Sequence, residues 1–184
     1  RVLFRSLVHP NADLALMQVD LTRPALALTT RNSHARGQDG FAIGFPRGRP
    51  GQIHARYLGN LRLRSTGRYR TEEVAAAWAE TERVPAELPS LGGLSGGPML
   101  DRAGSVVGVL VASSKRRGRV VTVVPETMRW LANRHGVAAR PGSTVPPVAN
   151  NTYVRQGDSL RSGLRIAEVY CRVASPGRRP ARTR

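Results

Sequence analysis

Short runs of β-forming residues recur along most of this sequence, and turn residues separate each run from the next. The runs are Val2 to Val8, Leu14 to Val19, Phe41 to Phe45, Ile53 to Leu63, Val106 to Ala112 and Val120 to Val124. Between them lie Asn11, Pro24, Gly37 to Gly40, Pro46 to Gly51, Leu91 to Pro98 and Gly104. Strands at such intervals are typical of a barrel or a sandwich. The sequence therefore predicts an all-β fold.

Two segments depart from this pattern. Thr71 to Val84 contains three consecutive alanines between glutamates, and these residues favour helix on propensity. Pro125 to His135 opens with a proline, which suits the first turn of a helix, and continues with Met128, Trp130 and Leu131. We predict a short helix over 125–135 and leave the type of the first segment open at this point.

The character of the sequence changes after Gly136. Residues 140–151 hold three prolines among small polar residues without periodicity, as is typical of a linker. We therefore predict a domain over residues 1–136, a proline-rich linker over 137–151 and a C-terminal segment over 152–184. Within that segment Tyr153 to Val173 has the pattern of one amphipathic element, and Pro176 to Arg184 is a basic tail.

Charge is the most unusual feature of the composition. The 29 basic and 12 acidic residues give a formal net charge of +17, and Lys115 is the only lysine. Guanidinium recognition of anions would select for arginine, and so would a GC-rich genome. The charge predicts non-specific attraction to nucleic acid and to acidic membranes at low salt, but it does not assign a function.

Cysteine and histidine usage excludes several classes of protein. Cys171 is the single cysteine, so a disulfide-built scaffold is excluded. The histidines are dispersed, so no metal site is visible and no cofactor is implied. No stretch approaches the roughly 20 consecutive apolar residues that a membrane-spanning helix needs.

Four glycines surround Ser95 in the run GGLSGGP over residues 92–98. A nucleophilic serine needs a backbone that a substrate carbonyl can approach, and N–H groups that converge on the developing oxyanion. Glycine obstructs both least. The natural oxyanion donors here are the N–H groups of Gly93 and Ser95. An isolated Gly-x-Ser-Gly is more often a flexible turn, but this run is longer and more specific.

Residues 93–98 match Gly-x-Ser-Gly-Gly-Pro, the signature of trypsin-like (chymotrypsin-fold) serine peptidases. The sequence GSVVGV at 104–109 is similar to a segment of the bacterial Deg-like and glutamyl-endopeptidase-like branches. The sequence FAIGFP at 41–46 resembles the strand and turn that open the second barrel in the family. The resemblance implies a chymotrypsin-like double β-barrel, with an incomplete first barrel over about 1–28, a second barrel over about 38–136 and a short closing helix. It also favours a strand in the second half of 71–84.

The resemblance assigns Ser95 as the nucleophile and Asp13 as the acidic member of a catalytic triad. Asp13 opens the sequence DLALM, which is similar to the Asp-Leu-Ala-Leu-Leu segment of the family. Its role would be to accept the Nδ1–H of the catalytic histidine and to hold the correct tautomer. The alternative is a turn aspartate before a hydrophobic strand.

The catalytic histidine is the missing member of this triad. The family places it some tens of residues before the aspartate, and only 12 residues precede Asp13. We assign all four histidines, His9, His34, His54 and His135, as non-catalytic. A serine without a base is a poor nucleophile, so this chain alone is expected to be nearly inactive. The chain would then be an N-terminally truncated piece of an active serine endopeptidase, or a pseudo-peptidase that binds without catalysis.

Substrate preference rests on four positions. Pro89, six residues before Ser95, stands where a charged selector often lies in the family. Thr122, Val123 and Val124 resemble the strand that lines the specificity pocket, and would suit a small or medium apolar side chain. The resemblance implies polypeptide substrates and suggests a periplasmic, secreted or membrane-tethered location. A nucleic-acid binder is a third function class that rests on the charge alone, because no nucleic-acid motif is present.

Overall fold

The computed structural model describes residues 6–19, 23–29, 31–66, 70–137 and 145–169. Its strands are β1 (Ser6–Val8), β2 (Ala15–Met17), β3 (Asp39–Gly44), β4 (Gly51–Ser65), β5 (Thr71–Val84), β6 (Pro98–Leu100), β7 (Val106–Ser114) and β8 (Arg119–Val123). Its helices are α1 (Pro125–Arg134) and α2 (Tyr153–Ser162). Residues 2–5, Cys171 and the basic tail lie outside the described residues.

Six strands form a closed antiparallel barrel in the order β3-β4-β5-β8-β7-β6. The ring closes where β3 pairs with β6, with Phe41 opposite Leu100 and Ala42 opposite Met99. Only the hairpin of β1 and β2 stands apart from this barrel in the described part of the chain. The fold is therefore mostly β with one closed barrel, and the predicted closing helix is confirmed as α1.

The segment Thr71 to Val84 forms one strand over its whole length, so its helix propensity does not decide its structure. Ala75, Ala76 and Ala77 pair with β4 on one side and with β8 on the other. Small side chains suit the middle of this strand, because Ala75 and Ala76 are fully buried on opposite faces. Pairing with the two neighbouring strands therefore outweighs the helix propensity of this segment, including in its first half, where no strand was predicted.

The barrel interior is filled by inward-facing residues around Trp78, which is fully buried. Its indole Nε1 donates a hydrogen bond at 3.0 Å to Thr122 Oγ1 on the neighbouring strand β8. Other buried members of this cluster are Ala42, Ile53, Ala55, Tyr57, Leu91, Leu94, Met99, Val107, Leu110, Val120 and Val124. Leu91 and Leu94 belong to the serine loop, so this loop is anchored in the core.

A second apolar layer covers the outside of β3 and neighbouring strands. Phe41 and Ile43 pack there with residues of both helices and with Val145 and Val148, which lie in the stretch predicted as a linker. Residues 145–166 therefore share a core with the barrel, while the division into three segments stays a prediction. No helix in the described part of the chain is long and apolar enough to cross a membrane.

Candidate active site

Two consecutive turns present Ser95. Leu94 N donates to Leu91 O at 3.0 Å, and Gly97 N donates to Leu94 O at 2.9 Å. The third residue of each turn has a positive φ, +90° at Gly93 and +85° at Gly96. That geometry defines type II turns and favours glycine at both positions. Ser95 occupies the exposed second position of the second turn, directly after the buried Leu94.

The same hydrogen bonds orient the two candidate oxyanion donors. Gly92 O accepts from Arg47 N at 2.7 Å, and Leu94 O accepts from Gly97 N. In a trans peptide the N–H points opposite to the C=O. The N–H groups of Gly93 and Ser95 therefore point away from these donors, and neither donates a hydrogen bond to another described residue.

The turn between β3 and β4 supports the Gly92–Gly93 peptide from behind. A Cβ at Gly93 would lie 3.0 Å from Arg47 N and 3.1 Å from Phe45 O, so only glycine allows this approach without movement. Arg47 itself adopts a positive φ of 54°. The candidate oxyanion turn thus rests on backbone, and its position depends on the shape of the β3–β4 turn.

Ser95 lines an open cavity of about 520 Å³. One side is the serine loop from Gly93 to Pro98, and a second side is Gly44 and Phe45. Leu26 and the segment 165–169, which follows α2, complete the lining. No pattern in the sequence placed this C-terminal segment beside the serine.

Asp13 lies in the turn between β1 and β2 and lines a different cavity, of about 800 Å³. Its backbone N–H donates to Glu73 Oε1 at 2.9 Å. Glu73 is 8% exposed, and its Oε2 has no hydrogen-bond partner among the described residues. The structure therefore ties Asp13 to β5 and does not bring it into the Ser95 cavity, so its catalytic role stays a prediction.

Burial raises the pKa of Glu73 above its ordinary value, and the nearby Asp13 carboxylate adds to the rise, while the Asp13 N–H opposes it. A carboxyl group with a raised pKa binds more protons in the folded state than in the unfolded state. The free energy of unfolding therefore falls as pH rises from the ordinary pKa through the raised one. Urea unfolding from about pH 4 to about pH 8 should show this fall in the wild type and a weaker one in Glu73→Gln. An identical pH dependence in both proteins would contradict this expectation.

None of the four histidines, all of which the structure describes, lines the Ser95 cavity. His9 packs against Trp130 of α1 with ring centroids 4.5 Å apart, and burial lowers its pKa. His34 lies between Tyr57 and Trp78, and His135 is exposed at the end of α1. The serine has no imidazole partner within the described residues.

His54 forms a hydrogen-bonded chain that no sequence pattern predicted. Its Nε2 lies 2.7 Å from Asp39 Oδ1, and its Nδ1 lies 2.8 Å from Thr81 Oγ1. Burial opposes ionisation of Asp39, but hydrogen bonds from His54 and Arg102 outweigh it and lower the pKa of Asp39. The imidazole is 4% exposed and stacks on Phe41. A buried base that ties β3, β4 and β5 together is a structural group.

The four residues predicted to select the substrate lie outside the Ser95 cavity. Thr122 and Val123 are fully buried, the first bonded to Trp78 and the second in the outer apolar layer. Val124 is buried at the start of α1, and Pro89 is exposed beside the β3–β4 turn. Their assignment to a specificity pocket stays a prediction.

A closed antiparallel barrel with a serine presented on paired glycine turns defines a protein of the chymotrypsin-fold class. Sequence comparison then gives the family. The trypsin-like peptidase domain matches residues 2–109, and the chain belongs to this family. A comparison with curated protein sequences gave no match.

Solved structures support the same fold. The active form of the Rv3671c protease from M. tuberculosis superposes with a TM-score of 0.57 at 18% identity, over 79% of this chain and 62% of that one. The HtrA-type protease AlgW with a decapeptide gives 0.55 at 20% identity, over 73% of this chain and 41% of that one. The chain thus spans less than two thirds of each of these relatives.

Proposed function

We propose that this chain is part of a serine endopeptidase that hydrolyses peptide bonds through an acyl-enzyme on Ser95. The observation that carries the proposal is the pair of type II turns, which expose Ser95 and leave the N–H groups of Gly93 and Ser95 without acceptors among the described residues. Two such donors stabilise the oxyanion of a tetrahedral intermediate.

In the proposed reaction a histidine upstream of residue 1 takes the proton of Ser95 Oγ as this oxygen attacks the substrate carbonyl. Asp13 accepts the Nδ1–H of that histidine and stabilises the imidazolium. The imidazolium then protonates the leaving amine, and the C–N bond breaks to give the acyl-enzyme. Water, deprotonated by the same histidine, releases the acid product and restores Ser95.

The absence of any histidine of this chain from the Ser95 cavity favours a second candidate, a pseudo-peptidase that binds polypeptides without cleaving them. The two candidates differ in whether Ser95 becomes a strong nucleophile when the upstream residues of the same gene are present. Binding of a polypeptide alone would not separate them.

Labelling with a fluorophosphonate, which reacts with activated serines, tests the proposal. We expect labelling in protein extended through its upstream residues, no labelling in the 184-residue protein, and loss of labelling in extended Ser95→Ala. Ser90→Ala is the matched control, because Ser90 lies in the same loop and should leave labelling unchanged. Folded, extended protein that does not label would overturn the peptidase and support the binding module.

A further inference from the structure

Helix α2 carries a buried arginine outside the proposed catalytic group. The Arg161 side chain is 7% exposed. Its guanidinium donates to Gln52 Oε1 at 2.8 Å and to Asp158 Oδ1 at 2.6 Å. Longer hydrogen bonds reach the carbonyl oxygens of Gly44 at 3.3 Å and Gly51 at 3.4 Å. A guanidinium is rarely buried unless it is paired, so Arg161 is a built connection between α2 and the barrel.

The connection ends at the base of the β3–β4 turn. Gly44 and Gly51 are the paired residues that close this hairpin. The Arg161 guanidinium also lies 6.0 Å from the ring centroid of Phe45, within cation–π range. Gly157 makes the approach possible, because a Cβ there would lie 2.9 Å from Gln52 Oε1. Arg161 therefore contacts both the base and the first residue of the turn.

The β3–β4 turn in turn holds the candidate oxyanion peptide. Arg47 N donates to Gly92 O at 2.7 Å, and this bond fixes the direction of the Gly93 N–H. The segment that follows α2, residues 165–169, lines the Ser95 cavity itself. The C-terminal region thus contacts the candidate site in two ways. Arg161 acts through the β3–β4 turn, and residues 165–169 line the cavity directly.

We propose that Arg161 is a positioning residue of the candidate active site, which fixes the β3–β4 turn and, through Arg47, the orientation of the Gly92–Gly93 peptide. The role in catalysis rests on the proposed function, because it needs the Gly93 N–H to receive the oxyanion. The role of Arg161 in orienting the β3–β4 turn does not depend on the proposed function. Helix α2, which lies beyond the family match at residues 2–109, is then part of the site.

Amide hydrogen exchange on the 184-residue protein tests the turn directly and requires no activity. In Arg161→Met we expect exchange at the amides of Arg47, Leu94 and Gly97 to rise at least about 10-fold, while amides of the β5–β8 ladder stay unchanged. Arg155→Met is the matched control, because Arg155 is an exposed arginine on the same helix and should leave all these amides unchanged. A merely structural role would raise exchange throughout the barrel.

Turnover of the extended protein is the second measurement. Arg161→Met should lower kcat by about 10- to 100-fold with KM changed less than about twofold, and Arg161→Lys should recover part of the loss. Unchanged exchange at the three amides in folded Arg161→Met, or a uniform rise, would overturn the proposal. If Arg161→Met does not fold, Arg161→Lys decides by the same exchange pattern. Raised local exchange in a protein whose Ser95 never labels would refute the peptidase but not the positioning of the turn.

Discussion

Replacing Ser95 by alanine is expected to lower kcat of the N-terminally extended protein on a peptide substrate by about a million-fold, because the attacking oxygen is lost. The residual rate would come from the oxyanion donors and from substrate binding. Asp13→Asn should lower kcat by about 10,000-fold, because the amide favours the wrong tautomer of the histidine. The measurement is steady-state hydrolysis by proteins that are shown to be folded.

The double variant is the sharper form of this test. Members of one catalytic unit are strongly non-additive, so Ser95→Ala with Asp13→Asn should be no slower than Ser95→Ala alone. Asp13 and Ser95 line different cavities in this structure. Comparison of the double variant with the two single variants therefore tests directly whether both residues act in one catalytic unit. Glu87→Gln, at an exposed carboxylate, is the control and should be unchanged. Full activity in Asp13→Asn would show that Asp13 is a turn aspartate and not a member of a catalytic triad.

Trp78→Ala is expected to lower the free energy of unfolding by about 3 to 5 kcal/mol, because a fully buried indole leaves a cavity in the barrel interior. It also leaves the buried Thr122 hydroxyl without its donor, which costs about 1 to 3 kcal/mol more. Since domains of this kind are stable by only about 5 to 15 kcal/mol, much of the total would be lost. Urea unfolding followed by circular dichroism measures the change.

The other tryptophan provides the control for this variant. Trp130 is 43% exposed on α1, so Trp130→Ala should lower the free energy of unfolding by no more than about 1 kcal/mol. Trp78→Phe separates the two contributions, because it keeps most of the apolar volume and removes the hydrogen bond to Thr122. Equal losses in Trp78→Ala and Trp130→Ala would contradict the assignment of Trp78 to the centre of the core.

The serine loop and the β class were predictable because both are encoded locally. The positive φ values at Gly93 and Gly96 need residues without a Cβ, and the sequence supplies glycine at both positions. Runs of β-forming residues between turns predicted most of the strands in the same way, but not β6 or the first half of β5. The family could therefore be inferred from residues 93–98 before the barrel was known.

The features that the sequence did not predict depend on contacts between distant segments. Ala75 to Ala77 form strand because two neighbouring strands pair with them, and no property of alanine indicates this. The partners of His54 and the barrel partners of Arg161 lie on other elements. Asp158 pairs with Arg161 within α2, but this local pair does not indicate the contact with the barrel. The lining of the Ser95 cavity by residues 165–169 likewise depends on how α2 packs on the barrel.

The closure of the barrel ring also has a consequence for folding. β6 is only three residues long and follows the serine loop almost directly, yet it must pair with β3, which is distant in sequence. Pairings between distant segments form late, because the loop entropy is lost before the contacts are gained. We therefore expect Ser95 to acquire its catalytic geometry among the last steps of folding. A nascent chain would then carry a serine with ordinary reactivity during the time when its own unfolded loops are accessible to proteolysis.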